Sequence, residues 1–271
     1  MRDLTLKARS IADDLAYTAL GDVWSILNSK GDEPAARLIG GQMVSLHAHR
    51  YGLDLYRESL DVDVGFPQVA ARDPWFVELL TERGYSRKGG NSYTRPVDDL
   101  PEGIVEHLDF PPEAQVDILV APYSSRARDN VHIGEHLTTS EVPGLAEALK
   151  RPSVDLSVIL ERLNGMSLQT TIRLPDEVST LILRAHAWRI RGAGTDAIDL
   201  WRALEIAVAA GSRTVEFSSE SGLESLAILE RAFQEKNGLG MERLAEAQGL
   251  SGITRQRRHT RIKALIKALG K

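Results

Sequence analysis

The chain has 271 residues, 42% of them hydrophobic and 26% charged, with a net charge of −5 and no cysteine. That composition excludes a largely disordered chain, and the missing thiols exclude a disulfide framework, a thiolate metal site and a cysteine nucleophile. No apolar run approaches the length of a membrane span, and Met1-Arg2-Asp3-Leu4 lacks the basic-then-apolar profile of a secretory signal, so a cytoplasmic protein with no membrane partner is expected.

Residues 4 to 28 place Ile11, Leu15, Leu20, Val23, Trp24 and Leu27 at helical spacing. This predicts one amphipathic helix, stopped by Lys30-Gly31-Asp32. Ala36 to Ile39 reads as a short strand, Gly40-Gly41 as a turn, and Met43, Val44, Leu46 and His47 as one face of a following helix. Tyr51 to Tyr56 reads as loop and Leu60 to Phe66 as a buried strand. Asp73 to Arg83 predicts a helix ended by Gly84. Tyr85 to Val97 and Ile104 to Phe110 read as two antiparallel strands, the first turning at Lys88-Gly89-Gly90-Asn91. Gln115 to Val120 is a further apolar strand.

Asp129 to Thr170 mixes short elements. A short helix begins at Glu141-Val142-Pro143-Gly144 and runs through Leu149, while Val154 to Leu160 fits a strand or a helix equally. From Pro175 the pattern is helical: 176 to 190, 195 to 210, 222 to 236, 241 to 248 and 254 to 269. The predicted fold is α/β (α+β), a mixed sheet flanked by helices in residues 1–170, followed by a helical C-terminal domain in residues 171–271. The active cleft is expected between them.

The stretch Leu60-Asp61-Val62-Asp63-Val64 carries the chemistry. On a strand, residues i and i+2 point to the same face, so Asp61 and Asp63 project together. Two such oxygen ligands suit one hard divalent cation, and unpaired carboxylates in an apolar strand are costly without a cation. Asp117, in the strand Gln115 to Val120, is a third candidate. Three acids on neighbouring strands, with a glycine turn nearby, describe a site for metal-assisted phosphoryl or nucleotidyl transfer.

This constellation resembles the nucleotidyltransferase superfamily: an apolar residue and two glycines (Leu38-Ile39-Gly40-Gly41), then Asp61-Val62-Asp63, then Asp117. Arg57-x-Ser59-x-Asp61-x-Asp63 is similar to the Arg-x-Thr-x-Asp-x-Asp element of the bacterial family that includes the AbiEii-like toxins, with serine in place of threonine. Leu183 to Arg189 and Thr195-Asp196-Ala197-Ile198-Asp199-Leu200 look like that family's lysine helix and its Lys-Asp-x-x-Asp-Leu element. Here Arg184 replaces the helix lysine and Thr195 the second lysine. The resemblance spans residues 34 to 205.

The resemblance implies Mg²⁺-dependent transfer of NMP from an NTP to an acceptor, with two ions bound alongside the nucleotide. Asp61, Asp63 and Asp117 are the expected metal ligands and catalytic acids, Asp117 binding the metal next to the acceptor or taking its proton. Gly40, Gly41, Ser45, Arg57, Ser59 and Arg184 are the expected nucleotide-binding residues, the glycines and the helix start admitting phosphate. Arg57 either meets the triphosphate or pairs with Asp61 or Asp63. Asp196 and Asp199 are expected to support Arg184, Arg189 or Arg191 rather than bind metal. By the same resemblance the acceptor is a tRNA 3′ end and the chain a toxin with an antitoxin protein as partner. The competing readings are a non-catalytic nucleic-acid-binding protein retaining the fold, and an enzyme that nucleotidylates a small molecule or a protein.

Residues 255 to 271 hold seven Lys or Arg and no acid, leaving 26 basic and 38 acidic side chains in the other 254 residues. An acidic body with a basic end suits a polyanion such as RNA; a solvated helix end explains the same charges. Ile262, Leu265, Ile266 and Leu269 predict a docked face, with Arg255, Arg258 and Lys263 turned outward. Two further patterns are weaker. His132-Ile133-Gly134-Glu135-His136 matches an inverted zinc-peptidase spacing, yet Gly134 and Thr138-Thr139-Ser140 oppose the helix it needs, so a loop is expected. Leu244 to Leu250 has helix-turn-helix spacing that ordinary helical hairpins share.

Overall fold

Leu4 and Leu6 alternate with Thr5 and Lys7, and Ser10 has an extended backbone whose hydroxyl accepts from the Asp13 amide at 3.3 Å. A strand β1 (Leu4–Lys7) therefore precedes the first helix α1 (Ile11–Ser29). The single helix expected over 4–28 is corrected here: alternation governs the first four residues, and the Ser10 cap sets the helix start.

The computed structural model describes residues 3–31, 35–101, 103, 111–124 and 126–270. The strand expected over Ile104 to Phe110 lies outside them. The chain forms two compact units, one of residues 1–43, 56–142 and 149–175, the other of residues 44–55, 143–148 and 176–271.

The first unit holds two mixed sheets. In the smaller, β9 (Val154–Glu161) runs parallel to β1 and antiparallel to β10 (Ser167–Leu174). The stretch that fitted both a strand and a helix is thus the central strand, alternating buried Leu156, Val158 and Leu160 with more exposed neighbours. The larger sheet has the order β2 (Arg37–Ile39), β3 (Asp61–Phe66), β6 (Glu113–Val120), β5 (Ser92–Pro96), β4 (Ser86–Gly89). Here β3 and β6 are parallel, whereas β2 on β3, β5 on β6 and β4 on β5 are antiparallel. Between the strands in chain order lie α2 (Gly40–Arg50), whose residues 44–50 belong to the second unit, α3 (Gln68–Ala71) and α4 (Trp75–Glu82), the last followed by Gly84 in the left-handed region.

Helix α1 packs on both sheets. Its Leu20, Val23, Trp24 and Leu27 are fully buried, as are Val62, Val64, Val116 and Val120. Burying a side chain of this kind stabilises by about 1.5–3 kcal/mol. Because Val62, Val64 and Val116 occupy the α1 side of the pleat, Asp61, Asp63 and Asp117 occupy the other face. A one-residue slip of β3 would drive both of its acids into the apolar layer, at a cost of several kcal/mol per ion. Asp14, fully buried in α1, is paired: it accepts from Arg162 Nη2 at 2.7 Å and from the Leu163 amide at 2.6 Å, and Arg162 also reaches Asp99.

Beyond β6, Glu141 anchors the chain with a buried carboxylate that accepts from Gln68 and Arg128. Residues 131 to 139 form a hairpin of β7 (Val131–Ile133) and β8 (Leu137–Thr139), where the sequence suggested a loop.

The second unit contains α5 (Leu145–Lys150) in part, then α6 (Glu177–Arg191), α7 (Gly194–Ala209), α8 (Glu220–Phe233), α9 (Leu239–Ala247) and α10 (Gly252–Leu269). Asp176 caps α6 through the Ser179 amide, and Gly192 ends it in the left-handed conformation. Helix α7 is central, packed by α6, α9 and α10, with Ala197, Leu200, Ala203, Leu204 and Ala207 fully buried. The C-terminal region is all helical, and the whole is the mixed α/β structure that the sequence predicts. No helix among the described residues is long and apolar enough to cross a membrane.

Candidate metal centre

Strands β3 and β6 place their acids side by side. In the parallel register Asp63 stands beside Asp117 and Asp61 beside Gln115. Each of Asp61, Asp63 and Asp117 is half-buried, and each offers a carboxylate oxygen within 4.8 Å of those of the other two. The donor set is entirely carboxylate oxygen, which suits a hard cation such as Mg²⁺ or Mn²⁺.

Neutral groups support two of the acids. Ser59 Oγ donates to Asp61 Oδ1 at 3.1 Å, and Gln115 Nε2 donates to Asp117 Oδ1 at 3.2 Å. Ser92 stands opposite Asp117 in the β5–β6 register, its hydroxyl on the same face of the sheet. Burial raises the Asp117 carboxyl above its ordinary pKa; the Ser92 and Gln115 donors pull it down, and the Asp61 charge pushes it up. A cation held there would supply the compensation that burial removes.

The glycine pair has a steric reason within this site. Gly40 has φ +75°, and a Cβ there would overlap the Asp63 carboxylate. A Cβ on Gly41 would meet the Arg57 guanidinium and lie 2.5 Å from Ser59 Oγ. Both glycines thus make room for the acids and their supports, and Gly40 takes a left-handed conformation that glycine adopts without strain. Gln42 Nε2 donates to the Ser59 carbonyl at 2.7 Å, tying the start of α2 to the approach to β3. Arg57 Nη1 donates to the Glu58 carbonyl at 2.8 Å.

Ser45, Arg184, Asp196 and Asp199 belong to the second unit. Arg184 Nη2 lies 3.1 Å from Asp196 Oδ1 and 3.4 Å from Asp199 Oδ2. Asp196 also pairs with Arg191, and Asp199 with Arg202 at 2.9 Å. Arg202 in turn donates to Ser45 Oγ at 3.1 Å. Arg189 pairs with Glu224 instead.

The remaining motifs resolve individually. His132 contacts Thr138 Oγ1 and His136 contacts the Ala71 carbonyl, both at 3.0 Å, on the β7–β8 hairpin. The inverted zinc-peptidase spacing therefore has no helix beneath it. On α10, Ile262, Leu265 and Leu269 are buried as predicted. Arg258 does not turn outward: its guanidinium stacks on the Trp201 ring, 3.6 Å from the centroid. Arg261 binds Glu205 at 2.7 Å, and Arg255 donates to the Lys236 carbonyl. Arg257, Lys263 and Lys267 are exposed.

Sequence reasoning passed over Gln115, Ser92 and Gln42. Gln115 was within reach, since it sits two residues before Asp117 and shares its face. Ser92 depends on the β5–β6 register, which no local pattern encodes.

No family model, curated protein or solved structure matches this chain. The mixed sheet with its three acids is compatible with a nucleotidyltransferase, and the acids form a candidate metal centre.

Proposed function

We propose that this protein is a divalent-cation-dependent nucleotidyltransferase that moves NMP from an NTP to an RNA acceptor. The observation that carries the reading is the convergence of the Asp61, Asp63 and Asp117 oxygens within 4.8 Å. Mg²⁺ ions held by these acids would neutralise the triphosphate and lower the pKa of the acceptor hydroxyl. The acceptor oxygen attacks the α-phosphorus, the bond to the bridging oxygen breaks, and pyrophosphate leaves. Asp117, made more basic by burial, receives the acceptor's proton. Arg57, beside Gly41, supplies guanidinium donors to the phosphates. Arg184 is held by Asp196 and Asp199; the resemblance assigns its position to the cation that meets the triphosphate. The exposed Arg257, Lys263 and Lys267 on α10, which carries no acid, favour a polyanionic acceptor.

The test is incubation with each α-labelled NTP, Mg²⁺ and total RNA or total protein. Label should enter RNA with release of pyrophosphate. Asp63→Asn should lower transfer by more than about 100-fold, since even groups behind metal ligands are worth 10- to 100-fold. Transfer should fall steeply with salt and with Arg257, Lys263 and Lys267 reversed to Glu. Label in protein or a small molecule would overturn the RNA acceptor. Salt-sensitive RNA binding without consumption of any NTP would overturn catalysis and favour a binding protein.

A further inference from the structure

Gln115 and Ser92 approach the same carboxylate from two directions. Gln115 lies on β6, two residues before Asp117 and beside Asp61 in the β3–β6 register. Its amide nitrogen donates to Asp117 Oδ1 at 3.2 Å. Ser92, on β5, stands directly opposite Asp117 on the other side of β6, so its hydroxyl shares a face of the sheet with that carboxylate. One neutral donor therefore comes along the acid's own strand, and a hydroxyl neighbours it from across the sheet.

The chemistry of the two donors matters as much as their placement. A guanidinium or ammonium in either position would satisfy Asp117 by charge and compete with a metal. A carboxylate at 115 would stand beside Asp61, a like-charge pair that destabilises a sheet. An amide and a hydroxyl avoid both. They fix the carboxylate's orientation through hydrogen bonds and leave its negative charge for a ligand. Groups behind metal ligands act in this way, and their loss costs 10- to 100-fold in metal affinity.

We propose that Gln115 and Ser92 are positioning residues, holding the Asp117 carboxylate in the orientation from which it shares a divalent cation with Asp61 and Asp63. The inference rests on the metal reading of the three acids, and the experiment separates the two.

Mn²⁺ alone is titrated into the full chain, free Mn²⁺ is measured by its electron paramagnetic resonance signal, and the metal-free Tm of each variant is recorded. Wild type should bind. Gln115→Met, which keeps the length but removes the donor, should bind about 10- to 100-fold more weakly at an unchanged metal-free Tm. Gln115→Asn, one methylene too short to reach, should resemble Gln115→Met. Ser92→Ala should weaken binding in the same direction, and Ser92→Thr, which restores the hydroxyl, should recover it to within about threefold of wild type. Wild-type affinity in both Gln115→Met and Ser92→Ala would overturn the positioning role while leaving the metal site intact. Failure of wild type to bind Mn²⁺ would remove the metal site itself and the inference with it. Should Gln115→Met lose its fold, the Ser92→Ala and Ser92→Thr pair decides: equal affinities would overturn the proposal.

Discussion

Asp61 and Asp63 stand two residues apart on a strand, and Asp196 and Asp199 three apart on a helix, so each spacing sets its carboxylates on one face. Their surroundings differ. Asp196 and Asp199 are buried to within 2% exposure and meet the guanidinium groups of Arg184, Arg191 and Arg202. In the sheet, Asp61 and Asp117 accept from the neutral Ser59 and Gln115, Ser92 stands opposite Asp117, and a third carboxylate stands within reach. Between and within helices α6 and α7 the charge is compensated by fixed side chains. The Asp61 and Asp117 carboxylates are oriented by neutral donors, and with Asp63 they form a candidate site for a cation. The difference lies in the partners, since the acids themselves are alike.

The largest expected effect would break the helical half of this comparison. Arg202 is 1% exposed and pairs with Asp199. Arg202→Ala leaves a buried carboxylate short of its partner and should cost about 3–5 kcal/mol in urea unfolding. A loss below about 1 kcal/mol would mean that these pairs are no more structural than surface ones. A smaller effect sharpens the same point on α10. Arg258 stacks on Trp201, whereas Lys263 is exposed. Arg258→Ala should cost about 1–2 kcal/mol by losing the stacked cation, and Lys263→Ala should stay within about 0.5 kcal/mol of wild type. Equal losses would erase the distinction between inward and outward cations on this helix.

The smallest effect concerns the sheet and is read through pH. Burial raises the Asp117 carboxyl above its unfolded value, so the folded chain holds that proton more tightly. The stability this confers is present below the unfolded pKa and is lost as pH rises through the folded one. Asp117→Asn cannot ionise. With a chelator present, it should melt above wild type at about pH 7 and near wild type at about pH 3, where the carboxyl is protonated. A lower melting temperature for Asp117→Asn at about pH 7 would mean that the ionised Asp117 is stabilised by the protein alone.

Much of this was legible from residue order, and the reason is that it is local. Period-two alternation in 61–66 and 115–120 sets the acids opposite the apolar face. Helical periodicity locates α6 to α10, and Gly40-Gly41 marks the turn before the acids. What residue order left open depends on partners distant in the chain. The short alternation of Leu4–Lys7 becomes a strand only where β9 pairs with it, Leu4 standing beside Val158. The run Val154–Glu161 suits either period until β1 and β10 flank it, and the polar alternation of Ser167–Leu174 becomes a strand only on β9. Arg258 reads as an outward cation until the ring of Trp201 receives it. The sequence by itself determined which faces carry charge and which are apolar, because side-chain direction follows from backbone period. Only the tertiary structure decided which charges meet an opposite charge, which meet a neutral donor, and which remain at the surface, because pairing and register between remote segments are set by packing.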